Sequence, residues 1–399
     1  MWLTYIVCRL AETLGVSEAE QKSLTIAGAM HDIGLLSLAE SRGLVEFEIE
    51  TRPEHGEVGY LFLKPFAPLS TVGELIRDHH VYWQDGAGEV FLRHAVPLGS
   101  HLIHLADRIA VLIHPQQEVL TQIASIRERI AAQSGRMFIP RFVEAFLDIA
   151  DKEFFWLDAA SPAVEWYSPQ NGDWDLISLD GPQFMELARL FCHIVDFKSP
   201  FTAAHSSGVA ACAGALGRLS GLSDSECARL TTAGYLHDIG KLSVPLEILE
   251  KPGVLDEREI AIIRHHSYET YKILRSIGMD ENTRNWSAYH HERLDGSGYP
   301  FHLSAPQLTL GCRIMTVADI FTALVENRPY RPGLSREKAI SILQNMTTQG
   351  WLDGDLVQTL SGNFDEMTVI CQQAEGSALR DYQSFALARQ DYEQQVMVA

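Results

Sequence analysis

One unit occurs twice in this 399-residue chain, and the repeat limits the possible folds more than any other feature. The segment LAETLGVSEAEQKSLTIAGAMHDIGLL at residues 10–36 matches LGRLSGLSDSECARLTTAGYLHDIGKL at residues 216–242 without a gap. Further along, each copy has an HH pair followed by an aspartate, at His79, His80 and Asp107 and again at His290, His291 and Asp319. An isolated histidine, His55 or His266, precedes each pair by 24 residues. Self-similarity over this length predicts two copies of one fold.

The hydrophobic pattern indicates which fold is repeated. Apolar residues in both copies recur at the i, i+3 and i+4 spacing of helices, and no run alternates as a strand does. We therefore predict an all-α protein made of two tandem helical bundles. Residues 161–182 combine turn formers with aromatic and β-branched residues, which favours a linker or small hairpin. The predicted segments are 1–160 (first bundle), 161–182 (linker), 183–365 (second bundle) and 366–399 (C-terminal helix).

Composition excludes several classes of function. A net charge of −20 and a pI of about 5.2 argue against a long nucleic acid as partner, because such binding depends on basic surface. A small phosphate ester remains compatible with this charge. No stretch reaches the ~18 uninterrupted apolar residues of a spanning helix, and no secretory signal is present, so we expect no membrane insertion. The six cysteines form no CxxC pair, which fits a reduced, cytoplasmic setting.

Adjacent His237 and Asp238 at the end of an apolar helix are an unusual pair, because both side chains bind metals while pointing in different directions. The two oxygens of Asp238 can bridge two cations, whereas His237 binds one. The second copy supplies further candidates of the same types, namely His205, His266, His290, His291 and Asp319. Imidazole and carboxylate together suit Fe, Mn, Zn or Ni, and the lack of cysteine ligands argues against a closed structural zinc site.

The motifs HDIGKL and HHERLDGSGYP of the second copy resemble the signature of the HD-GYP family, a branch of the HD phosphohydrolases. The similarity runs from about Asp196 to about Gln349. It implies HD-type helical bundles, a di- or trinuclear iron or manganese centre, and hydrolysis of cyclic dinucleotides such as c-di-GMP. The implied metal ligands are His205, His237, Asp238, His266, His290, His291 and Asp319. The resemblance also implies that Lys241 contacts the scissile phosphate or assists the leaving oxygen, which makes Asp238 and Lys241 the catalytic candidates.

One position departs from the family pattern. Members with a third metal carry a glutamate one helical turn before the first ligand histidine, where this chain has Phe201. We therefore expect two divalent ions, with Fe or Mn preferred and Ni or another divalent ion as the alternative. Two such ions lower the pKa of a bridging water and present hydroxide to the phosphodiester near neutral pH.

Substrate contacts are predicted around the GYP loop of the second copy. In the family this loop is associated with substrate binding and with protein partners, which points to Gly298 and Tyr299. Arg293, Arg313 and Arg331 are further candidates, because a planar guanidinium can bond phosphate or guanine in a bidentate way.

Histidines outside these motifs receive the ordinary interpretation. A lone histidine on an apolar helix is more often a core or surface residue than a ligand. This interpretation covers His94, His101, His104, His114, His193, His265 and His302. The neighbours His265 and His266 are the two candidates for the same metal-ligand position, and the helical register set by Ile273 and Leu274 favours His266.

The first copy keeps most ligand types and loses other elements of the site. Its candidates for a second metal site are His31, Asp32, His55, His79, His80 and Asp107. Leu35 replaces the lysine of HDxGK, VYWQDGAGEVF replaces the GYP loop, and the partner of His205 would lie two residues before Met1. We expect a degenerate HD domain with weak or no phosphodiesterase activity and a regulatory or dimerising role. Whether it binds metal is left open.

The predicted function is hydrolysis of a bacterial cyclic dinucleotide, c-di-GMP or 3′,3′-cyclic GMP-AMP, to a linear dinucleotide. The motifs do not distinguish these two substrates. The alternative is a non-catalytic sensor that binds the dinucleotide and signals through protein contacts, and such a sensor would lack metal ligands or the lysine. Hydrolysis of nucleoside polyphosphates is disfavoured by the HHERLDGSGYP motif. A homodimer is compatible with either function.

Overall fold

The computed structural model describes residues 2–35, 47, 54–161, 177–197, 204–249, 251, 253–327 and 332–398. They form two compact units, one comprising Met1–Ser178 with Phe385–Ala399 and the other comprising Leu179–Ser384. Phe201, Arg331 and most of the predicted linker lie outside the described residues.

The first unit is helical apart from one short hairpin in its described part. Its helices are α1 (Trp2–Thr13), α2 (Glu18–Met30), α3 (His55–Leu63), α4 (Ser70–Arg77), α5 (Leu98–Leu112), α6 (Ile123–Ala131), α7 (Pro140–Ala150) and α8 (Glu153–Ala160). The antiparallel hairpin pairs β1 (Val90–Phe91) with β2 (His94–Ala95). Single 3-10 turns occur at Ala67–Leu69 and Val119–Thr121, and the 3-10 segment Gln84–Glu89 is interrupted by a kink at Asp85 and Gly86.

The second unit is also helical. Its helices are α9 (Gly181–Phe197), α10 (His205–Leu219), α11 (Asp224–Leu236), α12 (Leu246–Leu249), α13 (Glu257–Ser276), α14 (Glu281–Ala288), α15 (Leu310–Val325), α16 (Arg336–Thr348), α17 (Gly354–Gly362) and α18 (Phe364–Val398). The 3-10 turns are Ile239–Ser243 and Ala305–Gln307. The predicted all-α class is confirmed for the described chain.

The repeat reproduces a helix cap as well as a motif. Ser17 caps α2 and Ser223 caps α11, each side chain accepting a hydrogen bond from the backbone N–H three residues on, at Glu20 and Glu226. Such a cap satisfies an N–H group that has no partner within the helix. Both helices then end at the HD motif, with His31 and His237 at the C-cap. The S-x-x-E sequence therefore sets where each HD helix begins.

Each unit has its own apolar interior. In the first, Tyr5, Phe146, Phe155 and Trp156 are fully buried, and the Phe155 and Trp156 rings meet edge to face at 5.1 Å. In the second, the core cluster is centred on α10, α15 and α17 and includes buried Phe321, Met315, Leu343 and Leu360. Burial of this apolar surface holds the helices that carry the polar site residues.

The long C-terminal helix α18 contributes to both units. Met367 and Cys371 belong to the core of the second unit. From Phe385 onward the residues belong to the first unit, where Phe385 stacks on Phe62 at 4.7 Å and Tyr392 packs on Val81. Among the described residues, no helix has both the length and the apolarity that a membrane crossing requires.

Candidate metal centre

Five chain segments bring the predicted ligands of the second unit together. His205 begins α10, and His237 and Asp238 follow the end of α11. His266 lies in α13, His290 and His291 follow α14, and Asp319 lies in α15. His266 is only 2% exposed, whereas its neighbour His265 is exposed and pairs with Glu269 at 3.2 Å. The structure thus places His266, and not His265, beside the other candidates.

Asp238 lies between two groups of histidines. Its Oδ2 is 3.2 Å from Nε2 of His237, and its Oδ1 is 3.3 Å from Nε2 of His266. A carboxylate whose two oxygens face different imidazoles has the arrangement of a bridging ligand. The geometry therefore fits the predicted bridge between two cations.

The ligand atoms fall into two clusters. One comprises His205, His237 and Asp238, and the other comprises His266, His290 and His291, with the ligand atoms of each cluster within 4.8 Å of one another. Asp319 reaches both, since its Oδ1 is 3.0 Å from Nε2 of His205 and its Oδ2 is 3.9 Å from Nδ1 of His291. Two three-residue clusters linked by two carboxylates fit a pair of divalent ions.

Backbone carbonyls orient several of these imidazoles. Nδ1 of His237, His266 and His290 lies 2.7, 2.6 and 2.7 Å from the carbonyl oxygen three residues earlier in each case. Donation from Nδ1–H leaves the Nε2 lone pair directed into the site, as is usual for metal-binding histidines. His205 differs, because its Nδ1 faces the Glu326 carboxylate at 3.4 Å. Glu326 is an orienting residue that sequence reasoning missed.

The pKa values of the candidate ligands are shifted in both directions. Burial lowers the pKa of His290, and repulsion from the neighbouring imidazoles His291 and His237 lowers it further. Burial also lowers the pKa of His291, to about 4. Burial opposes ionisation of Asp238, but the charges of His237 and Lys241 outweigh it and the pKa of the carboxyl is lowered. Burial also works to lower the pKa values of His205 and His237, but nearby carboxylates outweigh it: Asp319 and Glu326 raise that of His205 to about 10, and Asp238 raises that of His237. A cation bound at these two imidazoles would therefore displace a proton, since metals coordinate the neutral form.

Lys241 lies on the 3-10 turn that follows the HD motif, with its Nζ 2.5 Å from Oδ2 of Asp238. Burial works to lower the pKa of Lys241, but the attraction of Asp238 prevails and the pKa is raised. The ammonium group therefore keeps its charge beside the bridging carboxylate.

The buried residue Glu292 anchors the GYP loop, a role that the sequence did not predict. Glu292 is 1% exposed, and its carboxylate accepts hydrogen bonds from the backbone N–H groups of Phe301 at 2.7 Å and Leu303 at 3.0 Å. A Cβ at Gly298 would lie 2.4 Å from Cα of Glu292, so only glycine allows this approach. The anchored loop places the Tyr299 ring 4.8 Å from the ring of His291.

The arginines predicted to contact substrate have different surroundings in the structure. Nε, Nη1 and Nη2 of Arg313 donate to Leu308 O, Asp353 and Ala305 O at 2.9, 3.0 and 2.7 Å, which favours a role in holding the loop. Arg293 lies over Trp351 at 3.7 Å and contacts Ser297 at 3.4 Å. The substrate roles given to both stay predictions. Exposed Arg264, which was not predicted, lies 5.0 Å from the Tyr299 ring centroid.

The glycine of each HDIG motif allows a close backbone contact. A Cβ at Gly240 would lie 1.9 Å from the carbonyl oxygen of His266, and one at Gly34 would lie 2.1 Å from that of His55. Because glycine has no side chain, the turn that follows each His-Asp pair can approach the helix that carries His266 or His55.

Replacing Gly240 with alanine is expected to destabilise the second unit by about 1–3 kcal/mol, because the added methyl overlaps backbone that cannot move aside. Metal content is expected to fall with it, since His266 would shift relative to Asp238. Thermal melting and elemental analysis measure both effects. Gly362→Ala is the control, because a Cβ there meets nothing within 4 Å. Unchanged melting and metal content in Gly240→Ala would contradict this explanation of the motif.

The first unit assembles its six candidates in a similar way. Asp32 lies between His31 and His55, and His55 contacts both His79 and His80. Burial and neighbouring imidazoles hold the pKa values of His79 and His80 well below the usual range. Asp107 lies near His31 but is paired with Arg108.

The remaining histidines have other surroundings. His94 contacts Asp78 at 2.8 Å, and His101 meets the Trp83 ring edge to face at 5.5 Å. His104 is buried between Tyr82 and Phe138. The structure places none of these three among the metal-ligand clusters found in the described residues.

Comparison with known proteins gives consistent results for both halves. An HD-domain family model matches residues 3–112, and a second HD-domain model matches residues 176–356. The chain is 30% identical over 368 residues to the 3'3'-cGAMP-specific phosphodiesterase 1 of Vibrio cholerae, covering 90% of this chain and 85% of that protein. It is 36% identical over 256 residues to the 3'3'-cGAMP-specific phosphodiesterase 3 of Vibrio cholerae, and the match covers 63% of this chain and 54% of that protein.

A more distant relative is the cyclic di-GMP phosphodiesterase of Thermotoga maritima, 30% identical over 164 residues, covering 41% of this chain and 45% of that protein. Among solved structures, the cyclic GMP-AMP specific phosphodiesterase V-cGAP3 of V. cholerae matches with a TM-score of 0.58 and 23% identity. That match covers 91% of both chains and shows a shared fold.

Proposed function

The chain belongs to the HD-GYP branch of the HD-domain family, and on that premise we propose that its second unit is a metal-dependent phosphodiesterase acting on a bacterial cyclic dinucleotide. One observation carries the proposal: Asp238 faces both histidine clusters, and the charged Lys241 lies against it. Ligands for two cations and a fixed positive charge thus meet in one place.

Each residue has a distinct part in this proposal. The two ligand clusters and the carboxylates that link them would hold two divalent cations, for which we propose iron or manganese. When bound, these ions supply the charge that polarises a phosphoryl group and activates water. Lys241 adds a fixed positive charge toward the phosphate oxygens as negative charge develops. Tyr299, held by the Glu292-anchored loop, limits the position of His291 and of a substrate lying over it.

We propose 3′,3′-cyclic GMP-AMP as the preferred substrate. Support comes from the Vibrio relative of that specificity, since its similarity extends over both units and 85% of its length. The cyclic di-GMP relative from Thermotoga matches over less than half of this chain. A cytoplasmic location, a homodimer and protein partners at the GYP loop stay predictions.

Chromatography of the products tests the proposal directly. Protein loaded with Fe²⁺ or Mn²⁺ is incubated separately with c-di-GMP and with 3′,3′-cyclic GMP-AMP. We expect a linear dinucleotide from both, formed faster from the mixed substrate. Faster turnover of c-di-GMP would overturn the substrate assignment alone. Absence of turnover of either nucleotide by metal-loaded protein would overturn the enzymatic proposal in favour of a sensor.

Arg264 is proposed as a substrate contact, because its exposed guanidinium lies at the Tyr299 ring beside the metal ligands. A charge-assisted contact to a phosphate contributes roughly 1.5–3 kcal/mol. Arg264→Ala is therefore expected to raise KM about tenfold or more with little change in kcat and metal content. Arg275→Ala is the control, since Arg275 is an exposed arginine about three turns further along α13. Equal KM values for the two variants would exclude the contact.

A further inference from the structure

The first unit contains three clustered imidazole nitrogens, with a carboxylate oxygen beside one of them. Nε2 of His55 lies 3.2 Å from Nε2 of His79, 3.3 Å from Nε2 of His80 and 3.3 Å from Oδ1 of Asp32. All three imidazoles are buried, and their ligand atoms lie within 4.8 Å of one another. Three buried imidazoles and the partly exposed carboxylate of Asp32 therefore meet, and they come from three separate chain segments.

Hydrogen bonding alone does not satisfy this cluster. Nδ1 of His79 lies 2.5 Å from the carbonyl oxygen of Ile76 and donates its proton there, which leaves a lone pair on Nε2. Nε2 of His55 faces that lone pair, the His80 nitrogen and the Asp32 oxygen, but it carries at most one proton. A proton on His55 or on His80 joins one pair of these nitrogens and leaves the other pair without one, whereas one cation among the three nitrogens, with Asp32 beside it, satisfies them together.

The distances repeat those of the second unit. Oδ1 of Asp32 is 3.3 Å from His55, as Oδ1 of Asp238 is from His266. His55 lies 3.2 Å from His79, and His266 lies 3.3 Å from His290. This half of the site has kept its geometry although the lysine and the GYP loop of the other copy have no counterparts in it.

The other half of the first-unit site has changed. The side chain of Arg108 is 1% exposed, and its Nη2 and Nε lie 2.5 and 3.2 Å from Oδ2 of Asp107. The corresponding aspartate of the second unit, Asp319, is followed by Ile320 and contacts His205 instead. A buried guanidinium neutralises Asp107 permanently, so this carboxylate does not require a second metal ion.

We propose that the first unit binds one divalent transition-metal ion through His55, His79, His80 and Asp32, and that Arg108 replaces the second ion. Three imidazoles and one carboxylate suit a borderline ion such as Zn²⁺, Fe²⁺ or Mn²⁺. Leu35 stands where the second unit has Lys241, and so the ion lacks the cationic partner proposed for phosphodiester hydrolysis. The ion stabilises the first unit by joining α3, the HD turn and the segment after α4.

Metal counting in the full-length chain tests this site separately from the phosphodiesterase activity. The variant Asp238→Asn/His266→Ala disables both clusters of the second unit. After loading with Mn²⁺ or Zn²⁺ and desalting, it is expected to retain one ion per chain. Adding His79→Ala is expected to remove that ion, whereas adding His114→Ala, at an exposed histidine of the same unit, is expected to leave it.

The outcomes are distinct. No retained ion in the folded second-unit variant, or two retained ions, would overturn the proposal. If His79→Ala does not fold, Co²⁺ absorption of the variant with His79 intact supplies the second readout. Visible bands typical of nitrogen and oxygen ligation are expected, and their absence with Co²⁺ present counts against the site. Turnover is not measured, so an error in the proposed function would leave these results unaffected.

Discussion

Asp238→Asn is expected to reduce cyclic-dinucleotide turnover by more than about 100-fold, exceeding the 10–100-fold typical of changes next to a metal ligand. The carboxylate faces His237 with one oxygen and His266 with the other, so it serves both clusters. An amide keeps the shape but loses the charge and one acceptor oxygen. The metal content of the second unit is expected to fall in parallel. Initial rates and elemental analysis measure the two effects.

The matched control is Asp32→Asn in the first unit, where the aspartate has the same contacts with His31 and His55. Phosphodiesterase activity of this variant is expected to stay close to wild type, because the first unit has Leu35 at the lysine position. If Asp32→Asn abolished activity in a folded protein with the second unit's metals retained, the assignment of catalysis to the second unit alone would be wrong.

Lys241→Met is expected to lower kcat by about 100- to 1,000-fold, the usual loss when one electrostatic contact to a developing negative charge is removed. Metal content is expected to change little, since Lys241 contacts Asp238 but is not itself a ligand. Lys272→Met, at an exposed lysine paired with Glu269, is the control and is expected to retain wild-type activity. Loss of metal equal to that in Asp238→Asn would assign Lys241 to holding the site instead.

The pH profile gives a second test of Lys241. Although burial favours the neutral amine, Asp238 raises the pKa of Lys241 above its ordinary value of 10.5. The positive charge is therefore present throughout the neutral range and is lost only as pH rises through that raised pKa. We expect no inflection from Lys241 between pH 6 and pH 9 in kcat, and Lys241→Arg should recover part of the loss. A lysine-dependent inflection within that range would contradict the ion pair.

The candidate ligands that the structure brings together could be predicted because they lie in short motifs. His237 and Asp238 are adjacent, as are His290 and His291, and the capped helix before each HD pair is set by local sequence. The repeat then supplied an independent comparison at each position. The choice of His266 over His265 came from register, which determines the face of α13 on which each side chain lies.

The residues that were missed depend on contacts between distant segments. Glu292 holds the loop through hydrogen bonds from the backbone of Phe301 and Leu303. The sequence alone does not predict this role, because a carboxylate next to two candidate ligand histidines is equally compatible with metal binding. Arg313 reaches Asp353, and nothing in the spacing of those two residues predicts the contact. Arg264 is close to Tyr299 only because α13 passes beside the loop. Tertiary packing decides such contacts, and local pattern does not contain it.

The most direct measurement of the central claim compares two neighbouring histidines. His266→Ala and His265→Ala are assayed for metal content and for conversion of 3′,3′-cyclic GMP-AMP to the linear dinucleotide. His266 lies in the ligand cluster beside Asp238, whereas His265 is exposed and pairs with Glu269. We predict that His266→Ala loses metal and turnover while His265→Ala retains both. Equal activity of the two variants, or loss of activity only in His265→Ala, would contradict a metal-dependent phosphodiesterase site in the second unit.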